Sequence, residues 1–191
     1  YLLKCRDGAK ILKRAISLHY IDEDERILEF VYKITGKGTK EISEYKKDEY
    51  INIQGPLGKG FGTGIKDKTA VVIGGGIGLA PLKQLIKNIK ESNRIVFIAG
   101  GRDMEALKIL ENFDSENIDL KICSDDGSIG KKAFVTELLE GYLKNGAADI
   151  IYTCGPHIMM EKKAKKKEKN NVQCEVSMEE RMACGVKACV G

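Results

Sequence analysis

The sequence lacks tryptophan, has only three prolines among 191 residues, and draws 6% of its residues from the aromatics. It has no apolar run near the length that spans a bilayer, so a membrane-spanning helix is excluded. No basic stripe interleaved with aromatics is present, which removes the usual footprint of a nucleic-acid binder. Six cysteines, unevenly placed, are too few for a secreted disulfide framework, and nothing resembles a signal peptide. These absences point to a reducing, cytoplasmic compartment in which some thiols are held for chemistry. There is no initiator methionine and no repeat longer than one strand and helix. "YLLKC" reads as the middle of a strand, so further residues are expected beyond both ends.

What remains is an ordinary soluble composition, 42% hydrophobic and 31% charged, long enough to bury a core. The net charge of +4 is modest. Much of it sits in "EKKAKKKEKNN" (161–171), which reads as the solvated face of a helix before it reads as a nucleic-acid or membrane patch. Neither partner is expected.

Three regions follow from the pattern. Residues 1–65 carry short β-type runs ("YLLKC", "AISLHYI", "ILEFVYKIT", "EYINIQG") separated by polar turns, as in a small antiparallel barrel or sandwich. Residues 66–171 alternate strand and helix four times, the pattern of a doubly wound parallel sheet. "AVVI", "RIVFIA" and "ADIIYT" are continuously apolar, as strands covered on both faces must be. Residues 172–191, "VQCEVSMEERMACGVKACVG", leave that rhythm and form a cysteine-bearing tail.

Three loops fall at the carboxyl ends of expected strands, where open α/β sheets bind ligands. "IGGGIGLAPL" (73–82) puts Gly75, Gly76 and Gly78 between a buried strand and a helix, where backbone can approach a pyrophosphate. It is not a full G-x-G-x-x-G, and a tight turn without a ligand has the same look. "CSDDGS" offers Ser124 and Asp125 to ribose hydroxyls, while Asp125 and Asp126 would repel a 2′-phosphate and favour NAD over NADP. Alone it is simply a turn. "TCGPH" brings Cys154, Gly155 and Pro156 to a strand end, although Cys154 is also readable as a plain buried thiol.

"GGGIGLAPL", "CGPHIMM", "RAIS" and "GKGT" together resemble the ferredoxin–NADP reductase superfamily. The ending "SMEERMACGVKAC" narrows the resemblance to the electron-transfer subunit of the two-subunit, NAD-dependent dihydroorotate dehydrogenases, collinear over essentially the whole chain. The resemblance implies FAD on the N-terminal barrel. Arg14, Ala15, Ile16 and Ser17 stand where that family has Arg-Pro-x-Ser, with Arg14 on phosphate and Ser17 near flavin N5. Val31, Tyr32 and Lys33 and the turn at Gly38 and Thr39 match its other flavin contacts, though unaided they read as a strand and a hairpin turn. "GPLGKGF" (55–61) matches the link to the nucleotide domain. Cys154 would lie beside the nicotinamide. Hydride would pass between NAD(H) and FAD with no side-chain acid–base pair nominated.

Taken alone, Cys184 and Cys189, spaced C-x4-C, read as two free cysteines; the resemblance implies that they are the first ligands of a two-iron, two-sulfur cluster in a C-x4-C-x2-C pattern. A third ligand is expected directly after Gly191 and a fourth some way beyond. Lys187 replaces the family's usual Gly, and Cys5, Cys123 and Cys174 read as structural. The implied partner is a catalytic, FMN-containing dihydroorotate dehydrogenase subunit in pyrimidine biosynthesis. The alternatives are a related NAD(P)H-dependent flavin reductase serving ferredoxin or a sulfur compound, a non-catalytic nucleotide-binding subunit, and a zinc loop in place of the cluster.

Overall fold

The computed structural model describes residues 1–6, 12–144, 148–155 and 172–177. They belong to two compact units, one of Tyr1–Gly60 and one beginning at Phe61.

In the first unit, strand β1 (Leu2–Leu3) pairs antiparallel with β2 (Arg14–Ala15). A second antiparallel pair joins β3 (Tyr20–Asp22) to β4 (Ile27–Glu29). Helix α1 spans Lys37–Ser43, and β5 (Ile53–Gln54) returns to the free side of β1. The antiparallel character agrees with the sequence, but two local expectations do not. Val31–Lys33 lies outside any strand, because pairing in that stretch stops at Glu29. Gly38 and Thr39 lie in the first turn of α1, not in a hairpin turn. The core here is small: Leu3, Cys5, Ile16 and Ile42, with Tyr1, Phe30, Tyr32 and Ile51 packed around it.

The second unit is built on six parallel strands. They are β6 (Thr69–Gly75), β7 (Arg94–Gly101), β8 (Ile118–Ser124), β9 (Lys131–Lys132), β10 (Ile150–Cys154) and β11 (Gln173–Ser177). Their spatial order is β11-β10-β6-β7-β8-β9. Chain direction across the sheet therefore reverses between β6 and β10, which is the topological switch point of a doubly wound fold.

Strand alternation explains the two layers. Ala70, Val72, Ile95, Phe97, Ala99, Ile150, Tyr152 and Cys154 face α2 (Leu82–Ile89) and α3 (Met104–Leu107). Val71, Ile73, Val96, Ile98, Cys123 and Ile151 face α4 (Val135–Leu143). Helix α2 buries Leu82, Leu85, Ile86 and Ile89, the i, i+3, i+4, i+7 stripe of an amphipathic helix. Helix α4 begins at Val135, after Lys131–Lys132 pairs with β8 as a short strand.

The end of the α/β region also differs from the reading by pattern. Gln173–Ser177 does not leave the sheet; it pairs in parallel with Ile150–Cys154 as the edge strand. Its polar-mixed sequence concealed this, because an edge strand needs no continuous apolar run. The boundary between units falls at Gly60/Phe61 rather than near residue 65, since Phe61 and Ile65 pack on the sheet's α2 face. Among the described residues, no helix is long and apolar enough to cross a membrane.

Candidate functional site

The C-terminal edge of the parallel sheet collects the chemistry in two pairs of loops. The first pair sits at the switch point. After β6 the chain turns through Gly76, whose φ of 55° suits glycine, into a 3-10 turn over Gly76–Leu79. A methyl group on Gly78 would lie 2.6 Å from the Gly155 Cα and 2.8 Å from the Cys154 carbonyl oxygen. The glycine turn after β6 and the strand end of β10 are thus in direct backbone contact. Three residues nominated from separate parts of the sequence, Gly78, Cys154 and Gly155, meet there.

Gly74 serves the same loop differently, for a Cβ there would meet the Leu82 side chain at 2.7 Å. Its absence lets α2 pack close behind the turn. The amides that open the turn and the missing side chains leave backbone exposed to an approaching anion. Ile77 remains 40% exposed at the tip. Cys154 is buried in the apolar cluster that holds Leu79 and Leu82.

The second loop pair joins the ends of β7 and β8. Asp125 N–H donates to the Gly101 carbonyl at 3.0 Å and Asp126 N–H to the Arg102 carbonyl at 3.2 Å. Ser124 is fully buried, and its hydroxyl donates to the Ile129 carbonyl at 2.8 Å. The serine expected to meet ribose is therefore committed to shaping the turn, which leaves exposed Asp125 as the outward group. Asp126 accepts from the Ser128 amide and hydroxyl, and both bonds hold its carboxyl below the ordinary range. Ser128 in turn accepts from the Met104 amide at 2.9 Å.

Sequence reasoning nominated no residue of Arg102–Asp103, though "GGRD" ends the second strand of the sheet. Asp103 caps α3 by accepting from the Ala106 amide at 2.9 Å, and its other oxygen accepts from Arg102 Nε at 2.8 Å. The amide bond first and then the guanidinium depress its carboxyl. The signal was an Asp one residue before a helical run, which is an N-cap pattern.

In the first unit the flavin candidates separate into groups. The Arg14 guanidinium lies directly against Gly38, filling the space a side chain would occupy, and Arg14 Nη1 donates to the Leu12 carbonyl at 2.6 Å. Cys5 Sγ lies 3.6 Å from the Gly38 carbonyl. Thr39 spends its hydroxyl locally, accepting from the Thr35 and Gly36 amides and donating to the Gly36 carbonyl. That bonding caps α1. Ile16 is core, while Ala15 and Ser17 are exposed. Tyr32 packs on the same small core, where burial raises its phenol. Val31 is half-buried and Lys33 exposed. Pro156, Cys184 and Cys189 lie outside the described residues, as does the basic stretch 161–171. Among the described residues no group of three or more His, Cys, Asp or Glu is placed to hold a metal.

Comparison with known proteins comes to the same place. Residues 72–165 match the sequence model of the oxidoreductase NAD-binding domain. The chain is 41% identical over 191 residues to the dihydroorotate dehydrogenase B (NAD(+)) electron transfer subunit of Clostridium acetobutylicum, covering 100% of this chain and 74% of that one. The corresponding subunit of Caldanaerobacter subterraneus subsp. tengcongensis is 35% identical over 190 residues, covering 100% and 73%. Among solved structures, the NADH-dependent reduced ferredoxin–NADP oxidoreductase studied for flavin-based electron bifurcation superimposes with a TM-score of 0.85 at 28% identity, over 98% of this chain and 68% of that one.

Proposed function

Because the chain belongs to the family of dihydroorotate dehydrogenase B electron transfer subunits, we propose that it passes electrons between NAD(H) and a flavin on behalf of a catalytic dihydroorotate dehydrogenase subunit. Membership rests on matches that run the full length of this chain. The observation that carries the reading is the contact of Gly78 with Cys154 and Gly155 at the switch point of a matched NAD-binding domain.

The described residues fit the groups this function needs. Gly75, Gly76 and Gly78 would lie along the pyrophosphate of NAD, with Gly155 bounding the nicotinamide side and Asp125 meeting the adenosine ribose. Asp125 and Asp126 would disfavour a 2′-phosphate. Arg14, seated against Gly38, would hold the pyrophosphate of FAD, and Tyr32 would lie by the flavin. Ser17, exposed just beyond β2, would face the flavin edge. Bound together, the two cofactors supply hydride transfer between nicotinamide and flavin, and the flavin can release electrons one at a time. The chain's own part is to bind and orient.

In this reading the antiparallel strands of residues 1–60 belong to a flavin-holding barrel, the unit from Phe61 through the edge strand Gln173–Ser177 holds NAD, and the residues after it lead into the cluster segment. Cys184 and Cys189 would be the first two ligands of a two-iron, two-sulfur cluster. The partner is a catalytic subunit carrying FMN, and the setting is cytoplasmic pyrimidine biosynthesis.

The test is anaerobic addition of NADH to the FAD-loaded protein, followed at the flavin band near 450 nm. Bleaching on mixing is expected. A protein that binds neither flavin nor NADH would overturn the reading in favour of a non-catalytic subunit.

A further inference from the structure

The α/β unit carries a polar device that neither loop pair uses. The chain enters this unit through "GPLGKGFGTG" (55–64), in which every second or third residue is glycine, and the unit boundary falls between Gly60 and Phe61. So glycine-rich a segment has little conformational preference of its own. Immediately past the boundary, however, the backbone is fastened. Gly62 N–H donates to Glu175 Oε2 at 2.7 Å, and the Gly62 carbonyl accepts from the Tyr152 hydroxyl at 2.6 Å.

Those two side chains are register partners on the adjacent strands β10 and β11. Tyr152 is completely buried. A phenylalanine would fill the same space without a hydroxyl to satisfy, so the oxygen has a use, and the Gly62 carbonyl is that use. Burial first and then the Glu175 charge raise the Tyr152 phenol, which keeps it a donor. The Phe61 ring meets Tyr152 edge-on at 5.5 Å. A side chain on Gly62 would collide with Glu175 at 2.8 Å. Three residues on, the Ile65 carbonyl accepts from Asn93 Nδ2 at 3.0 Å.

We propose that Tyr152 and Glu175 are positioning residues, a clamp that fixes the strap Phe61–Ile65 and so sets where the chain leaves the α/β unit for the flavin unit. The clamp confines bending to the glycines upstream of Phe61, and a loosened strap would slow electron exchange between nucleotide and flavin. This rests on the proposed function above.

Tyr152→Phe and Glu175→Ala each remove one bond, and Glu175→Gln keeps an acceptor for the Gly62 amide. Amide exchange over 61–65 should rise about threefold to tenfold in Glu175→Ala, the scale of one lost hydrogen bond, and return in Glu175→Gln. The Tyr152→Phe/Glu175→Ala double variant should lower the saturated rate of flavin reduction by NADH while its NAD affinity stays at the wild-type value. Wild-type exchange over 61–65 in the double variant, or an unchanged reduction rate, would overturn the clamp. So would a rate that falls only in proportion to lost NAD affinity. If wild-type protein takes no electrons from NADH, the proposed function fails, and the exchange measurement still decides for or against the clamp.

Discussion

The two units of this chain solve the problem of stability differently. The unit beginning at Phe61 has six parallel strands of which the central ones are wholly buried, with apolar clusters on both faces. Among the described residues, the unit of Tyr1–Gly60 has strands of two or three residues and one small apolar cluster around Leu3, Cys5, Ile16 and Ile42. It also leaves Leu12, Ile27, Ile34 and Tyr50 largely in water. A sheet covered on both sides is complete without a ligand; short antiparallel strands around a small core gain most from one. On the proposed function, the nucleotide site would be built into the larger unit and the flavin site into a unit that its ligand helps to hold.

The largest effect that sharpens this contrast is Phe97→Ala. Phe97 is 1% exposed and stacks on Phe113 at 5.2 Å in the middle of the sheet. Its loss should cost about 3–5 kcal/mol, read by urea unfolding, and take NAD binding with it. The flavin side should respond in the opposite sense to ligand: saturating FAD at about a hundred times its Kd should stabilise the N-terminal unit by about 2.7 kcal/mol. Limited proteolysis with and without FAD would show protection confined to residues 1–60. Equal protection of both units would break the contrast.

Arg14→Ala should come next, weakening FAD by about 1.5–3 kcal/mol, the range of a charged hydrogen bond, with NAD affinity unchanged by titration. Gly78→Ala should do the converse. Its methyl would meet backbone, which cannot rotate away, and overpacking of this kind costs about 1–3 kcal/mol. Flavin content should stay constant while NAD affinity falls.

The smallest effect concerns pH. The Asp103 and Asp126 carboxyls are both lowered from their ordinary 3.8, by the Ala106 and Ser128 amides first. A depressed folded value means that the contribution is present above pH 3.8 and is lost as pH falls through the lower, folded value. Acid should thus loosen the loops after β7 and β8 only below the ordinary carboxylate range, seen as faster exchange over 101–128. Asp103→Asn should keep the α3 cap and flatten that response.

The same contrast explains what could be read from the sequence. The α/β order was legible because buried parallel strands must be apolar throughout and α2 must repeat at helical spacing. The glycine turn after β6 and the strand end at Cys154 were legible as loops at carboxyl ends of strands, though not that Gly78 lies against Gly155. Strand β11 was not, because "QCEVS" alternates and its membership depends on pairing with β10. The inward turn of Ser124 was not legible either: a serine at a strand end can face outward or inward, and its bond to the Ile129 carbonyl is made five residues on. Arg14 and Gly38 lie far apart in sequence, and neither the residue pattern nor the resemblance pairs them. Tyr152 looked like core, and nothing local to it names Gly62 as the partner of its hydroxyl.

The most direct test of the account is an amide-exchange footprint of NAD on the FAD-loaded protein. The switch-point site predicts that NAD slows exchange in Gly74–Leu79 and Cys154–Gly155 together, at the same nucleotide concentration. Protection of one segment without the other, or of neither, would contradict it.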